Sequence, residues 1–453
     1  MSYFKKKLER RERKFKKKNN RNKSMKKRSK INVKISKNKR KERLTTRRKI
    51  KDTFKNNSFP NLVEDIPTID DLPKLSKLLF SENIDDIKYS TQAIRKMISE
   101  DDDPPIDELF QAKVVNIFVN IIRQSEDQFL QTIWTLANIA GDNMEFRDTV
   151  LEDEGIIKRI IKLMQEKEDI NIIEYSIWFL TSLCKDSPHP PFELISECIP
   201  IFGKYLNSND QDVVQLCCLG LNETSDGDDK NVNAVLELNC IPRLIEILKD
   251  TSDYNTQLYI VKLFGNLTSG SDYKQTQSVL AHSEVLILLQ KLLKKSKRTL
   301  KKEICFTISN ITAGTQPQIS QVIETGLIED ILEVMQNSNH SIRQECCWIL
   351  SNAINGGDDE QVLNMINESL VEAFADFLED TDSKIIRICL ESFEKILQLG
   401  DHISEIQGSD ENKVLTLIEE NEVITKIEKL HQYKKKSIQN LSKKISNNFF
   451  NKN

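Results

Sequence analysis

The chain has 453 residues, 38% of them hydrophobic and 30% charged, but only 13 glycines and 11 prolines. So few turn-forming residues disfavour an all-β or Rossmann-type architecture and favour long amphipathic helices that each bury one apolar stripe. No apolar run approaches the ~18–20 residues that span a bilayer, and no apolar signal segment opens the chain. We therefore expect a soluble intracellular protein with no membrane partner.

Charge is distributed unevenly along the chain. Residues 1–55 hold 27 Lys and Arg against 4 Asp and Glu, whereas the remaining residues hold 39 basic and 65 acidic side chains. Self-repulsion predicts that this basic arm is disordered alone and folds on an acidic partner. A nucleic-acid-binding arm is the alternative. Because the arm has few aromatic side chains for base stacking, we expect no direct nucleic-acid contact.

The body of the chain repeats with a period of about 42 residues. Six similar blocks each end in small or turn-forming residues: WTLANIAGD from Trp134, WFLTSLCKD from Trp178, LGLNETSDG from Leu219, KLFGNLTSG from Lys262, FTISNITAG from Phe306 and WILSNAINGG from Trp348. This period is typical of armadillo repeats, which are units of two or three helices stacked on their neighbours. The sequence therefore predicts an all-α, right-handed superhelical armadillo solenoid of about 8–9 repeats.

Composition and the repeat pattern divide the chain into four segments. The basic arm covers residues 1–55, and a linker with three prolines and no helical period covers 56–74. The repeat array covers 75–432, and residues 433–453 are predicted to be a basic flexible tail.

Several blocks carry an aromatic residue followed four positions later by an asparagine. The pairs are Trp134/Asn138, Phe306/Asn310 and Trp348/Asn352, while the block at Lys262 keeps only Asn266. Residues i and i+4 lie one turn apart on one helix face, so stacked units would align them as a ladder. Asn amides can bond the main chain of an extended peptide, and indole faces can hold the stems of Lys and Arg.

Acidic residues near the helix ends would receive the charged heads of such a peptide. They are Asp142, Asp226, Asp272, Glu345 and Asp358. Each feature also has a purely structural explanation, because aromatics at helical spacing often belong to the core and a helical Asn can satisfy a neighbouring loop. The repetition of both residue types at one phase, beside acids, favours an extended lysine-rich peptide as the ligand.

At these residues the chain resembles the importin-α (karyopherin-α) family of nuclear import adaptors. The resemblance rests on NIAGD followed by FRD, on GNLTSGSDYKQTQ, FTISNITAG and DSKIIRICLESFEKI, and it covers nearly the whole chain. It implies a concave groove with two cargo sites for lysine-rich nuclear localisation signals. The major site would comprise Trp134, Asn138, Asp142 and Trp178. The minor site would comprise Asn266, Phe306, Asn310, Glu345, Trp348 and Asn352.

The same resemblance assigns the basic arm to importin-β. In that family the arm becomes a helix inside importin-β, and its distal cluster can instead fold back onto the cargo groove. The residues implied here are Lys26, Lys27, Arg28, Arg40, Arg47, Arg48 and Lys49. The family also implies shuttling between cytoplasm and nucleus, with an export receptor as a further partner. The basic C-terminus gives that last role no support.

The groove pattern departs from the family at several positions. Ser182 stands where an Asn is expected after Trp178, Leu219 and Glu223 replace an aromatic pair, and Phe306 replaces a Trp. These changes fall more heavily on the major site than on the minor site. We therefore expect a weaker or altered cargo preference rather than a loss of function.

One repeat is also predicted to be absent or merged. The sequence before Trp134 resembles the first repeat of the family, whereas the block at Trp134 resembles the third. Only 40 residues separate Ile94 from Trp134, so the major site would be shortened by one slot.

Other classes of function are weighed against the adaptor. A degenerate paralogue or an armadillo scaffold would bind one specialised partner without general cargo recognition, although the acidic body argues against a β-catenin-type scaffold with a basic groove. An enzyme is not expected, because the five histidines lie far apart and no P-loop, metalloprotease or serine-hydrolase motif occurs. No cofactor or metal is expected either, since the nine cysteines lack zinc-ligand spacing and suit small interior positions.

Overall fold

A computed structural model describes residues 62–100, 105–124, 129–141, 144–153, 155–185, 188–270, 272–407 and 412–450. The basic arm, with its seven predicted importin-β-binding residues, lies outside them. Every secondary-structure element of the described residues is helical, and none of these helices is long and apolar enough to cross a membrane. The predicted all-α fold is confirmed. The residues group into two compact units, which meet in sequence between Arg243 and Leu244.

The first unit contains twelve helices in the described residues. In chain order they are α1 (Leu72–Leu78), α2 (Ile84–Glu100), α3 (Ile106–Gln111), α4 (Val114–Gln124), α5 (Phe129–Ala140), α6 (Met144–Leu151), α7 (Ile156–Lys167), α8 (Ile170–Leu183), α9 (Phe192–Ile195), α10 (Cys198–Tyr205), α11 (Gln211–Ser225) and α12 (Asp229–Glu237). Helix α13 (Ile241–Asp250) contains the boundary between the units.

The described residues of the second unit contain thirteen further helices. In chain order they are α14 (Tyr254–Leu267), α15 (Tyr273–Leu280), α16 (Glu284–Lys295), α17 (Arg298–Thr312), α18 (Gln316–Glu324), α19 (Leu327–Asn337), α20 (His340–Gly356), α21 (Asp359–Met365), α22 (Glu368–Phe377), α23 (Ser383–Gln407), α24 (Lys413–Glu420), α25 (Val423–Lys429) and α26 (Lys436–Ile445).

Within each unit, one long helix of every repeat packs on the equivalent helix of the next repeat. In the first unit α5 packs on α2, α8 on α5, and α11 on α8; in the second unit α17 packs on α14, α20 on α17, and α23 on α20. We call these eight the ladder helices. Shorter helices, such as α10 on α11 and α19 on α20, pack against the ladder helices and bury their apolar faces.

Most ladder helices begin at an Asp or Asn whose side chain caps the free backbone amides of the first turn. Asp169 accepts hydrogen bonds from two amides at the start of α8, and Asp210 does the same for α11. Asp253 and Asn339 cap α14 and α20. Such caps satisfy donors that have no partner within the helix, so they fix where each repeat's long helix starts.

The first two ladder helices have no third ladder helix between them. Helix α2 packs directly on α5, and the described residues that join them form only the short helices α3 and α4. The loss of one repeat relative to the importin-α family between Ile94 and Trp134 stays a prediction.

The predicted linker, residues 56–74, extends too far toward the C-terminus. Val63 is buried, and its backbone oxygen accepts a hydrogen bond of 2.5 Å from Lys96 Nζ of α2. The backbone amide of Leu62 donates to Gln92 Oε1 at 2.6 Å, and α1 already begins at Leu72. The prediction was wrong because it took prolines as evidence against a helix, whereas Pro is well tolerated in the first turn of a helix.

The predicted flexible tail, residues 433–453, is wrong over most of its length. Helix α26 packs on α23 and buries Ile438 and Ile445. These two residues are seven positions apart on one face, a spacing that the high lysine content obscured. Lys444 of α26 also pairs with Glu394 of α23, with an Nζ–Oε1 distance of 2.5 Å.

Candidate peptide-binding site

In the first unit, two predicted tryptophans belong to one continuous stack of side chains. The rings of Trp134 and Tyr175 are stacked with centroids 5.2 Å apart, and Tyr175 lies 6.4 Å from Trp178 at a tilt of 48°. The guanidinium carbon of Arg95 lies 4.3 Å from the Trp134 ring centroid. We call these four residues the N-terminal stack. Sequence reasoning found its two tryptophans and missed Arg95 and Tyr175.

Among the described residues, the other positions considered for the major site contribute little open polar surface. Asn138 is buried, and Ser182 donates its hydroxyl hydrogen bond back to the carbonyl of Trp178 at 3.0 Å, within the same helix. Asp142 lies outside the described residues. On the next ladder helix, α11, the buried Leu219 occupies the position of the tryptophans and has no aromatic ring.

In the second unit, the ladder asparagines connect neighbouring ladder helices. Asn310 Nδ2 donates to the backbone oxygen of Gly265 at 2.8 Å, and Asn352 Nδ2 donates to that of Ser309 at 3.1 Å. Gly265 allows the close approach of α14 and α17, because a β-carbon there would lie 3.0 Å from Thr307 Oγ1. The amide donors of these asparagines therefore stabilise the stack of helices, which is the structural role weighed at the outset.

A small, partly open pocket of about 30 Å³ lies beside Trp348. We call it the C-terminal pocket, and its lining residues are Ala313, Trp348, Ser351, Asn352, Asn355, Ile388 and Glu391. It combines an indole, two side-chain amides and a carboxylate at the junction of α20 and α23. Two of the six residues predicted for the minor site, Trp348 and Asn352, line it.

The other four residues predicted for the minor site are more enclosed. Asn266 and Phe306 are buried on α14 and α17, and Asn310 and Glu345 are 3% and 2% exposed. Oδ1 of Asn310 has no hydrogen-bond partner among the described residues and is itself buried. The structure thus brings all six residues onto consecutive ladder helices, but only two of them line the C-terminal pocket.

Asn355 and Glu391 complete the pocket, and sequence reasoning missed both. Asn355 lies seven positions after Trp348, on the same helix face, and donates to the backbone oxygen of Ser351 at 2.8 Å. Glu391 accepts a hydrogen bond from Arg387 Nε at 3.0 Å. The block around Glu391 has no aromatic anchor, so only its distance of about one repeat from Trp348 could have identified it.

Three of the acids expected near the helix ends have local structural partners. Asp272 caps α15 by accepting from the amide of Lys274, and Asp358 caps α21 by accepting from that of Gln361. Asp226 lies 3.5 Å from His189 Nε2. The carboxylate at the C-terminal pocket is instead provided by Glu391.

Ladder helices that recur about every 42 residues, each supported by shorter helices, define an armadillo-repeat protein. No protein-family model matches the chain. A crystal structure of an engineered protein has the same fold, with a TM-score of 0.67 at 19% identity over 82% of this chain and 97% of the other.

The sequence is similar to importin α subunits over most of its length. Rice importin subunit alpha-1a is 27% identical, over 83% of this chain and 80% of its own length. Importin subunit alpha-8 of Arabidopsis thaliana is 29% identical, over 83% of each chain. The chain is thus similar to importin α subunits over most of its length.

Proposed function

We propose that this protein is a nuclear import adaptor that binds lysine-rich nuclear localisation signals on its ladder helices and importin-β through residues 1–55. Its similarity to importin α subunits over most of the chain supports the adaptor role. The observation that supports a peptide site most directly is the C-terminal pocket, where Trp348, Asn352, Asn355 and Glu391 converge in one open cavity.

The chemistry of this pocket suits one lysine side chain and the backbone that carries it. The indole of Trp348 offers an apolar face to the methylene stem and a favourable quadrupole to the ammonium group. The carboxylate of Glu391 provides a charged hydrogen-bond acceptor for the head. The Nδ2 groups of Asn352 and Asn355 already donate within the protein, so their carbonyl oxygens would accept hydrogen bonds from the peptide main chain.

In this proposal the remaining predicted site residues would contact other parts of an extended peptide. In the second unit these are Asn266, Phe306, Asn310 and Glu345, on the ladder helices that precede the pocket. The major site would involve Trp134, Asn138, Asp142 and Trp178. Signal peptides carry several lysines, so contacts beyond one pocket are needed for useful affinity.

The basic arm is proposed to bind importin-β. Its 27 basic residues against 4 acidic residues suit an acidic partner, and the rest of the chain, with 65 acidic and 39 basic side chains, can attract the same arm intramolecularly. A tether of this kind raises the effective concentration of the arm at the ladder helices to the millimolar range. Release of the arm by importin-β would then free the peptide site, and the protein would shuttle between cytoplasm and nucleus. The similarity to importin α subunits does not favour the specialised scaffold weighed as the alternative.

Fluorescence anisotropy with a labelled lysine-rich signal peptide tests the peptide site. The full chain and a chain of residues 56–453 should both bind, the full chain more weakly, and binding should weaken as salt rises because the contacts are partly exposed ion pairs. Combined Trp348→Ala and Asn352→Ala substitutions should abolish binding. Tyr273→Ala, which removes an exposed aromatic from the outer helix α15, is the matched control. Affinity of the double variant within twofold of the parent would refute the assignment.

A further inference from the structure

The N-terminal stack already holds a cation and an aromatic ring where a bound peptide would place its own side chains. Helix α5 packs on both α2 and α8, and Arg95 from α2 and Tyr175 from α8 both lie against the half-buried Trp134 indole. Arg95 is 7% exposed and Tyr175 is 8% exposed, so both are fixed in the structure rather than extended into solvent.

A slot for a lysine stem requires an accessible indole face, with about 4 Å of separation for van der Waals contact. Tyr175 stands between Trp134 and Trp178 and contacts both rings, so it occupies the space between the two tryptophans. The guanidinium carbon of Arg95, 4.3 Å from the Trp134 ring centroid, takes the position of a ligand cation, and the group would repel a second cation.

The ladder helices of the second unit differ at the same position. Tyr175 lies three residues before Trp178, whereas the residues three before Phe306 and Trp348 are Glu303 and Glu345. The tyrosine stacks on Trp134 and lies against Trp178, whereas the residues at the equivalent positions of the second unit carry no ring. No stacking partner of Trp348 occurs among the described residues, and its side chain, which is 5% exposed, lines the C-terminal pocket.

We infer that Arg95 and Tyr175 close the peptide slots of the first unit, so that this protein selects signals with a single basic cluster and binds them at the C-terminal pocket. The inference rests on the proposed function, because it specifies which part of the proposed site accepts the peptide. Arg95 and Tyr175 act as specificity-determining residues that exclude a second basic cluster.

The chain itself provides the probe for this inference. It contains three tryptophans, and all three, Trp134, Trp178 and Trp348, lie on ladder helices. The intrinsic emission of the full chain therefore reports on the candidate sites alone. The titrant is a synthetic peptide with two lysine-rich clusters and no Trp or Tyr, added at physiological ionic strength.

Four full-length chains are compared. The unsubstituted chain should show an emission change on titration, and Trp348→Phe should remove that change, because Arg95 and Tyr175 occupy the space beside Trp134, and Tyr175 that beside Trp178. Adding Arg95→Ala and Tyr175→Ala to the Trp348→Phe chain should restore a saturable response. The apparent affinity should be about tenfold or more above that of the Trp348→Phe chain, because new cation–π and stem contacts form. Tyr175→Phe in place of Tyr175→Ala should keep the slot closed and give no such gain.

Two outcomes would overturn the inference while leaving the proposed function intact. One is a Trp348→Phe chain that retains the full emission change at unchanged affinity, which would mean that the slots are open. The other is a correctly folded opened variant, judged by its circular dichroism melt, that responds no more than Trp348→Phe alone. The first result needs no substitution in the stack, so it remains decisive if the opened variant fails to fold. Absence of a response in every chain, including the unsubstituted one, would instead refute peptide binding and this inference with it.

Discussion

The side-chain amide of Asn310 donates a hydrogen bond of 2.8 Å to the backbone oxygen of Gly265, which belongs to the preceding ladder helix. The donor that the sequence suggests for a bound peptide is therefore engaged in holding α14 and α17 together. Asn352 repeats this contact one repeat later, to Ser309, but it is only half-buried. The two asparagines occupy equivalent positions and differ in exposure, so their structural and binding roles can be separated.

We expect Asn310→Ala to lower the free energy of unfolding by about 1–3 kcal/mol, since it leaves the Gly265 carbonyl without its side-chain donor in a buried environment. Asn352→Ala should cost less, about 0.5–1 kcal/mol, because water can reach that site. Urea denaturation followed by circular dichroism measures both. Equal costs for the two substitutions would contradict the difference in burial as the cause.

The contact between Phe202 and Gly220 gives a second prediction. A β-carbon on Gly220, in the middle of α11, would lie 2.7 Å from the Phe202 ring. Gly→Ala in a helix interior normally stabilises by about 1 kcal/mol, but here overpacking should dominate and Gly220→Ala should destabilise by about 1–3 kcal/mol.

A double-mutant cycle with Phe202→Leu tests the cause of that cost. The smaller side chain makes room for the new methyl group, so the double variant should be more stable than the sum of the two single effects predicts, by about 1 kcal/mol. Strict additivity of the two free-energy changes would show that the ring and the glycine do not constrain each other.

The sequence predicted those features of the structure that depend on residues close together in the chain. The 42-residue period and the Asp or Asn before most ladder helices are local signals, and they specify the helices and their order. Trp348 and Asn352 were found because residues at i and i+4 share a helix face in any repeat. Their role in peptide binding stays a prediction.

Tyr175 and Arg95 were missed for a physical reason. Each covers a face of Trp134 only because its own helix packs directly on α5, and no pattern within one helix encodes that approach. For Arg95 this is the packing of α2 against α5. The difference between two open tryptophans and a filled stack is therefore a property of tertiary packing.

Arg147 gives a third prediction, because it is a fully buried cation that bridges two segments of chain. Nη1 donates to the carbonyl of Lys185 at 2.5 Å and Nη2 to that of Pro188 at 3.0 Å, while Nε donates to Asp148 at 2.8 Å. A lysine keeps the charge but cannot reproduce this planar fork.

We expect Arg147→Lys to destabilise the protein by about 2–4 kcal/mol, since buried carbonyl groups would lose their partners. Unfolding in urea, followed by tryptophan emission, measures the loss. The control is Arg298→Lys, at an exposed position at the start of α17, where a change below about 0.5 kcal/mol is expected. A similarly small effect at Arg147 would mean that the carbonyl contacts contribute nothing to stability.

Buried thiols in the first unit predict a loss of stability in alkali. Burial is the main cause that raises the pKa of Cys218 to about 12 and that of Cys240 to about 11, from an ordinary value of 9.0. A raised pKa in the folded state means that the unfolded chain releases these protons first. The contribution is therefore fully present below pH 9 and is lost as the pH rises toward 11–12, by about 1 kcal/mol per thiol at the first pH unit above 9.

The free energy of unfolding, measured by urea denaturation at several pH values between 8 and about 10.5, should fall more steeply for the parent chain than for Cys240→Ala. Tyrosine and lysine titrations affect both chains alike, so the difference in slope isolates the thiol. A cysteine thiol reagent should also react slowly with the folded chain at neutral pH and rapidly in urea, because all nine cysteines are buried and free. Parallel slopes for the two chains would show that the Cys240 thiol ionises as readily in the folded protein as in the unfolded one.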